Sequence, residues 1–304
     1  MKPSRPIVLA TLLFAAQSWI SALPAAAGTG LAFLKTGIGA RSVSLGSAVV
    51  SNVDDPSALY WNPGALGLLE GTQLEVNHVE SFQEVRYEAA AITHRRGENG
   101  FGASFNGVWT DDMARRDETG RDLGQFGYYG IRANCSYARA VTDRIGLGAG
   151  VSLLREQIDT YSTSGLAFDL GIQARELLSR TDLGASVLNL GSSMKYEQES
   201  FDLPLTIQAG VTHRIPWRVA NSRIVVSAEI QQVRDEDAQL LLGTEYQYGE
   251  LASLDVGYQS ARDTRDVAMG FGLQRDRFAG HYAFVPFSEN LGEEHRVSLR
   301  MLWP

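Results

Sequence analysis

A single cysteine, Cys135, among 304 residues excludes an intrachain disulfide framework and any thiolate metal cluster. Histidine is nearly as scarce: His78, His94, His213, His281 and His295 are scattered, without the spacing of metal ligands. No serine-hydrolase elbow, zinc-protease helix motif, Cys-x-x-Cys, Walker loop or dinucleotide fingerprint occurs. Pairs such as Gly37/Gly39 and Gly146/Gly148 are not followed by a helical pattern, so they are not phosphate loops. No catalytic residue, cofactor or metal is therefore expected. Basic residues are in deficit, 27 against 35 acidic, giving a formal charge of −8, which argues against nucleic acid as a partner. Beyond the first 28 residues no run approaches the ~20 apolar residues of a membrane helix. That excludes helical spans but not a membrane β-barrel, whose strands carry a weaker, alternating signal.

The chain begins with a secretory pattern. Lys2 and Arg5 form a positive start, an apolar stretch runs from Ile7 to Ile20, and Ala25, Ala26 and Ala27 make a small-residue cleavage site. Gln17 and Ser18 break the apolar stretch, so a spanning helix is not expected, and residues 1–27 read as a cleaved signal peptide. The exported chain would lose two positive charges, reaching about −10. Paired with the lack of disulfides, this describes an exported protein that leans on its fold alone.

From Thr72 onward the period is two. Leu147, Ala149, Val151 and Leu153 alternate with Gly146, Gly148, Gly150 and Ser152. Leu166, Phe168, Leu170 and Ile172 alternate with Ala167, Asp169, Gly171 and Gln173, and Val267, Met269, Phe271 and Leu273 with Ala268, Gly270, Gly272 and Gln274. Strands with one apolar and one polar or glycine face follow. About fourteen are expected, over 72–80, 84–96, 99–110, 126–140, 144–155, 164–177, 182–191, 203–215, 222–232, 238–248, 251–260, 265–274, 277–285 and 294–303, with ends uncertain by two to four residues. Soluble strands are usually about five or six residues long, whereas a tilted membrane strand needs about 9–11. Length favours the membrane.

The connections alternate as well. Long ones are expected at 111–125 (DDMARRDETGRDLGQ), 156–163, 192–202, 234–237, 261–264 and 286–293. Short ones fall near 97, 141–143, 179–181, 249–250 and 275–276, and the turn at 215–221 is longer than its class. Outer-membrane barrels have long loops on one side and short turns on the other. If the apolar residues met lipid, Glu75, Arg132, Asp169, Gln208, Glu229, Glu245 and Arg300 would line a lumen. Burying such charges unpaired in a soluble core would be costly. Trp109, Trp217, Tyr246, Tyr248, Tyr258, Tyr282 and Trp303 near strand ends suit interfacial girdles.

Residues 37–66 read differently from all this. Gly37, Gly39, Ala40, Ser42, Ser44, Gly46, Ser47 and Ala48 permit close backbone approach. Asp55 is placed to cap a turn beginning at Pro56, and Asn62 before Pro63 ends it. The runs Gly39-Ala40-Arg41 and Asp54-Asp55-Pro56-Ser57-Ala58-Leu59-Tyr60-Trp61-Asn62-Pro63-Gly64-Ala65-Leu66 resemble the start of the PorV/PorQ family within the FadL-like outer-membrane barrels. The terminal strand 295–303, alternating up to Trp303, is similar to the last strand of such barrels, although Pro304 follows where the usual pattern ends on the aromatic.

The resemblance implies an all-β fold: a 14-stranded antiparallel transmembrane barrel (71–304) whose lumen holds an N-terminal hatch (28–70). Arg41, Asp54, Asp55, Tyr60, Trp61, Asn62 and Pro63 become the candidate hatch or ligand-path residues, with Arg41, Asp54, Asp55 and Asn62 fixing the hatch to lumen groups. FadL-like relatives pass hydrophobic small molecules across the outer membrane, through the lumen and a lateral opening. PorV-like relatives instead receive secreted proteins of a type IX system on their loops, which would make 111–125 the working surface. The partners implied are outer-membrane lipid, a hydrophobic small molecule, or secretion-system proteins.

Overall fold

The computed structural model describes residues 29–81, 85–110, 113–197, 199–215, 222–261, 266–288 and 292–303. The signal-peptide reading, Trp217, the 215–221 turn beyond Ile215 and Pro304 lie outside them. Among the described residues there are eighteen strands: β1 Thr72–Glu80, β2 Arg86–Arg96, β3 Asn99–Trp109, β4 Met113–Arg116, β5 Asp122–Phe126, β6 Tyr128–Ala140, β7 Ile145–Ile158, β8 Tyr161–Leu178, β9 Thr181–Leu190, β10 Met194–Tyr196, β11 Glu199–Phe201, β12 Thr206–Ile215, β13 Ser222–Val233, β14 Gln239–Tyr248, β15 Ala252–Gln259, β16 Val267–Arg275, β17 Phe278–Pro286 and β18 Glu293–Trp303. Fourteen close into one antiparallel barrel, each beside its neighbour in sequence, and β18 returns to pair with β1 from Thr72↔Trp303 to Glu80↔His295. The remaining four form two hairpins, β4–β5 and β10–β11. Closure leaves the wall without an edge, a condition for any sheet that stands in hydrocarbon.

Burial is inverted relative to a soluble protein. Leu153, Leu254, Leu299, Leu273, Val256 and Phe101 are exposed on the outside, while Arg132, Asp169, Gln173, Gln208, Glu229 and Glu245 are buried within. An apolar skin of this extent exceeds what a water-facing surface tolerates. The prevailing alternation of apolar-out and polar-in along the wall strands is the pattern of a transmembrane β-barrel.

Two expectations about the connections need correction. The link after β7 is only Asp159 and Thr160, because β7 and β8 stay paired through Glu156↔Thr163, Gln157↔Ser162 and Ile158↔Tyr161. Apolar alternation stops at that level while backbone pairing continues, so the sequence pattern reads as a loop. The long connections at 111–125 and 192–202 carry β4–β5 and β10–β11 respectively, so they are not bare loops.

Residues 30–69 lie inside the barrel. They comprise a 3₁₀ turn at Ala32–Lys35, helix α1 at Ala40–Ser44, helix α2 at Ala58–Trp61 and a second 3₁₀ turn at Pro63–Leu68. A short helix therefore does follow Gly37 and Gly39, contrary to the sequence pattern, because five residues are too few to show a helical period. Their neighbours span the whole circumference. Gly46 abuts β14 and β15, Val50 abuts β9 and β12, Gly64 abuts β8, and Leu66 and Gly67 abut β3 and β6. Glycines on the inner wall admit this backbone: a methyl on Gly257 would overlap Gly46, and one on Gly171 would overlap the Asn62 side chain. Interiors packed to that density cannot absorb an added methyl without movement.

Candidate functional site

The local structure of the plug follows from its capping groups. Asp55 accepts from the backbone N–H of Ser57 (2.9 Å), and Ala58 N–H bonds the Asp55 carbonyl (3.0 Å), which starts α2. Asn62 is extended (φ −159°, ψ 95°), as expected before proline, and its side chain accepts from Gly64 N–H (3.0 Å) to open the next turn. Asp55 thus bonds inside the plug, to Ser57, and faces Glu75, Ser298 and Arg300 of the wall across a small cavity.

Five candidates contact the wall, and Asp54 is joined to one of them. Arg41 donates from Nε (3.0 Å) and Nη2 (2.8 Å) to the two carboxylate oxygens of Glu245 on β14. Its third contact, Nη1 to Asp54 (3.4 Å), stays within the plug, and Asp54 itself faces a polar cavity of the lumen. Asn62 Nδ2 donates to the carbonyls of Val50 (2.7 Å) and Ile172 (2.9 Å), joining plug to plug and plug to β8. Trp61 offers its carbonyl to Ser186 Oγ (2.9 Å) and Gln208 Nε2 (2.7 Å), and its indole N–H bonds the Ile38 carbonyl (2.9 Å). The Tyr60 ring lies beneath the Arg132 guanidinium, 5.5 Å from centroid to Cζ, and its hydroxyl donates to the Leu34 carbonyl. Pro63 sits against Gly148 and Gly171.

Sequence reasoning missed most of the other anchors. Ser298 accepts from Ala40 N–H (2.7 Å), Glu229 from Val50 N–H (2.9 Å) and Asp255 from Ser44 Oγ (3.1 Å). Gln173 donates to the Ser51 carbonyl (2.8 Å), Arg175 to Leu68 (2.8 Å) and Arg296 to Gly37 (2.7 Å). Their only signal is a polar residue at an inward position, which shows where a side chain points but not what it meets. Arg132 and Asp169 pair at 2.7 Å in full burial, joined by Ser152 and Asn134. Asp169 also accepts from Asn189 N–H (2.8 Å), where β9 carries a left-handed residue (φ 59°) and its register with β8 shifts. A carboxylate there satisfies an N–H that the bulge frees from the ladder.

The interior is divided along its axis. At the end bearing the short turns is a polar cavity of about 400 Å³, lined by Arg41, Asp54, Arg175, Glu245, His281 and Arg300 among others. At the end bearing the long connections the plug begins in an apolar cluster. Leu31, Phe33 and Leu34 pack with Val108, Leu154, Ala167, Met194 and Leu203, and hairpin β10–β11 adds Phe201. Few polar bonds hold this first segment: Gly30 N–H to the Asp202 carbonyl (3.3 Å), Lys35 to Glu236 (2.8 Å), Thr36 Oγ1 to the Tyr87 hydroxyl (3.4 Å) and the Tyr60 hydroxyl to Leu34.

These features define a class: a closed 14-stranded transmembrane barrel with its lumen filled by the N-terminal segment. Comparisons with solved structures agree with the barrel fold. A family model described as an uncharacterised protein family, UPF0164, matches residues 26–165. No curated protein matches by sequence. Among solved structures the chain is similar to a deletion mutant of the TodX monoaromatic hydrocarbon channel (TM-score 0.63, 14% identity, 87% of this chain and 97% of that one). It is also similar to a FadL homologue of Pseudomonas aeruginosa (TM-score 0.55, 13% identity, 91% and 98%). At such identities the likeness is one of fold.

Proposed function

We propose that the chain is an outer-membrane channel for small hydrophobic molecules. The observation that carries this is the apolar cluster at the long-connection end, where the plug's first residues occupy a site that an apolar solute would fill equally well. Such a solute would replace Phe33 and Leu34 against Val108, Leu154 and Leu203. Pockets of this kind, apolar with a few convergent polar groups, are where small molecules bind. The likeness to a hydrocarbon channel supports the same reading.

The polar anchors bear on mechanism. A small-residue plug suggests a cheap wholesale shift, yet residues 37–68 are tied to the wall by a buried ion pair and at least nine hydrogen bonds of the kind described above. Each buried group left unpaired costs about 1–3 kcal/mol. Motion therefore belongs to residues 30–36, with the remainder as a fixed floor. The test is solute flux into liposomes holding the full chain or a form lacking residues 28–66. Faster entry of a hydrophobic solute than of a charged one through the full chain is expected; equal, negligible flux in both forms would defeat the reading.

One observation favours a second reading. Hairpin β4–β5 is a separate two-stranded sheet beyond the wall, fastened by Arg115 to Asp159. A PorV-like role would use it to receive secreted proteins. A pull-down whose partner is lost on shortening residues 113–126 would support that role, and a partner retained after shortening would count against it.

A further inference from the structure

Among the polar interruptions of the apolar outer wall, one lies on β1 and β2. His78 and Glu88 face outward as cross-strand partners, Nδ1 to Oε1 at 2.7 Å, with both side chains half exposed. One row nearer the long connections, Glu80 faces Arg86. In register with these rows the adjoining β3 carries Gly107 and Trp109, so the His78–Glu88 row lies one step inside the tryptophan. Directly below the two charged rows the wall is hollow. A groove of about 300 Å³ lies over Val76 and Ala90, bounded by Phe105 on one side and Val297 and Leu299 on the other.

We infer that this groove is a binding site for a phospholipid with a zwitterionic, primary-ammonium head group, one acyl chain lying along Val76 and Ala90. The volume suits a stretch on the order of ten methylenes, taking each as about the size of a water molecule. Head-group chemistry follows from the paired rows. Arg86 would donate to the phosphate, and Glu80 and Glu88 would accept from the ammonium, each a charge-assisted bond strengthened beside hydrocarbon. Basic and acidic side chains alternate across the two rows, so a head group without an N–H donor leaves Glu80 and Glu88 no hydrogen to accept. A trimethylammonium head has no N–H to give them. A second copy of the chain is a poorer occupant, because two concave faces set against each other enclose a void. The inference needs a lipid-facing wall and is independent of the transport reading.

The test uses the full chain, purified in detergent, with phosphatidylethanolamine, phosphatidylcholine or phosphatidylglycerol of identical acyl chains, and counts bound lipid by native mass spectrometry. Retention of phosphatidylethanolamine should exceed that of each of the others roughly tenfold, the factor for loss of about one charge-assisted bond. Glu80→Gln with Glu88→Gln should bring the ethanolamine-to-choline ratio to about one, and Ala90→Phe should abolish retention of both, with folding checked by heat-dependent gel mobility. Equal retention of the three lipids by the unmodified chain would overturn the inference even if a variant fails to fold. A dimer that forms without lipid and buries His78 would overturn it too.

Discussion

Arg41 and Glu245 meet across the plug–wall boundary with two hydrogen bonds of 3.0 and 2.8 Å, one side chain 12% exposed and the other 3%. Removing one member leaves the other charge without its partner at the edge of the polar cavity, a loss of up to about 3–5 kcal/mol for a buried pair, whereas replacing both with apolar residues of similar size is often close to neutral. Arg41→Ala should therefore lower the urea midpoint markedly, and Arg41→Met with Glu245→Leu should recover most of the loss. If the single variant unfolds like the parent, the pair does not hold the plug.

Gly257 offers a second handle. Its inward face touches Gly46 so closely that a methyl would overlap the plug backbone, while Gly280, whose added Cβ would find its nearest neighbour at 3.5 Å, has room. Overpacking costs about 1–3 kcal/mol and here can be relieved by moving the plug. Gly257→Ala should assemble as a barrel but conduct ions several-fold better in planar bilayers, and Gly280→Ala should match the parent. Unchanged conductance in both would mean that the plug does not set the closed state.

How much of this was legible in the sequence depends on what alternation can carry. A period of two gave the strand count, the inward and outward faces and the closing strand, because a membrane wall forces that period on each strand. The same rule failed at 156–163, where pairing outlasts the apolar pattern, and at 113–126, where charged residues form a hairpin that no periodicity marks. For the plug, Asp55 and Asn62 were readable because capping is local. The partners of Arg41, Ser44 and Val50 were not, since Glu245, Asp255 and Glu229 lie about two hundred residues away in sequence and only closure of the barrel brings them in.

Asp117, at the tip of β4–β5, provides a pH test outside the membrane. The Thr119 hydroxyl (2.6 Å) and the backbone N–H groups of Arg121 (3.0 Å) and Thr119 (2.9 Å) donate to its carboxylate, holding the group below its ordinary value. A depressed folded value means the turn is favoured above the unfolded value, about 3.9, and that this contribution fades as pH falls through the lower folded one. Amide exchange at Thr119 and Arg121 should accelerate below about pH 4. Asp117→Asn should abolish that step, and a step persisting in the variant would assign it to another group.

Phe33 is the side chain on which the transport reading turns. It is buried in the apolar cluster, and Gly130 on β6 clears space for its ring, since a methyl there would lie 2.6 Å from it. Truncation to alanine costs about 3–5 kcal/mol for a phenylalanine and leaves an apolar void that stays dry. An apolar solute is the natural occupant of such a void, and filling it returns part of the lost stability. Phe33→Ala should therefore raise the uptake rate of a small aromatic hydrocarbon several-fold, leave a charged solute unaffected, and show a melting temperature that rises with hydrocarbon concentration. Leu203→Ala opens the same cluster from the other side, beside hairpin β10–β11, and should act in the same direction. Should both variants lose stability with no gain in uptake and no protection by hydrocarbon, the cluster is simply a core, and solutes pass elsewhere or not at all.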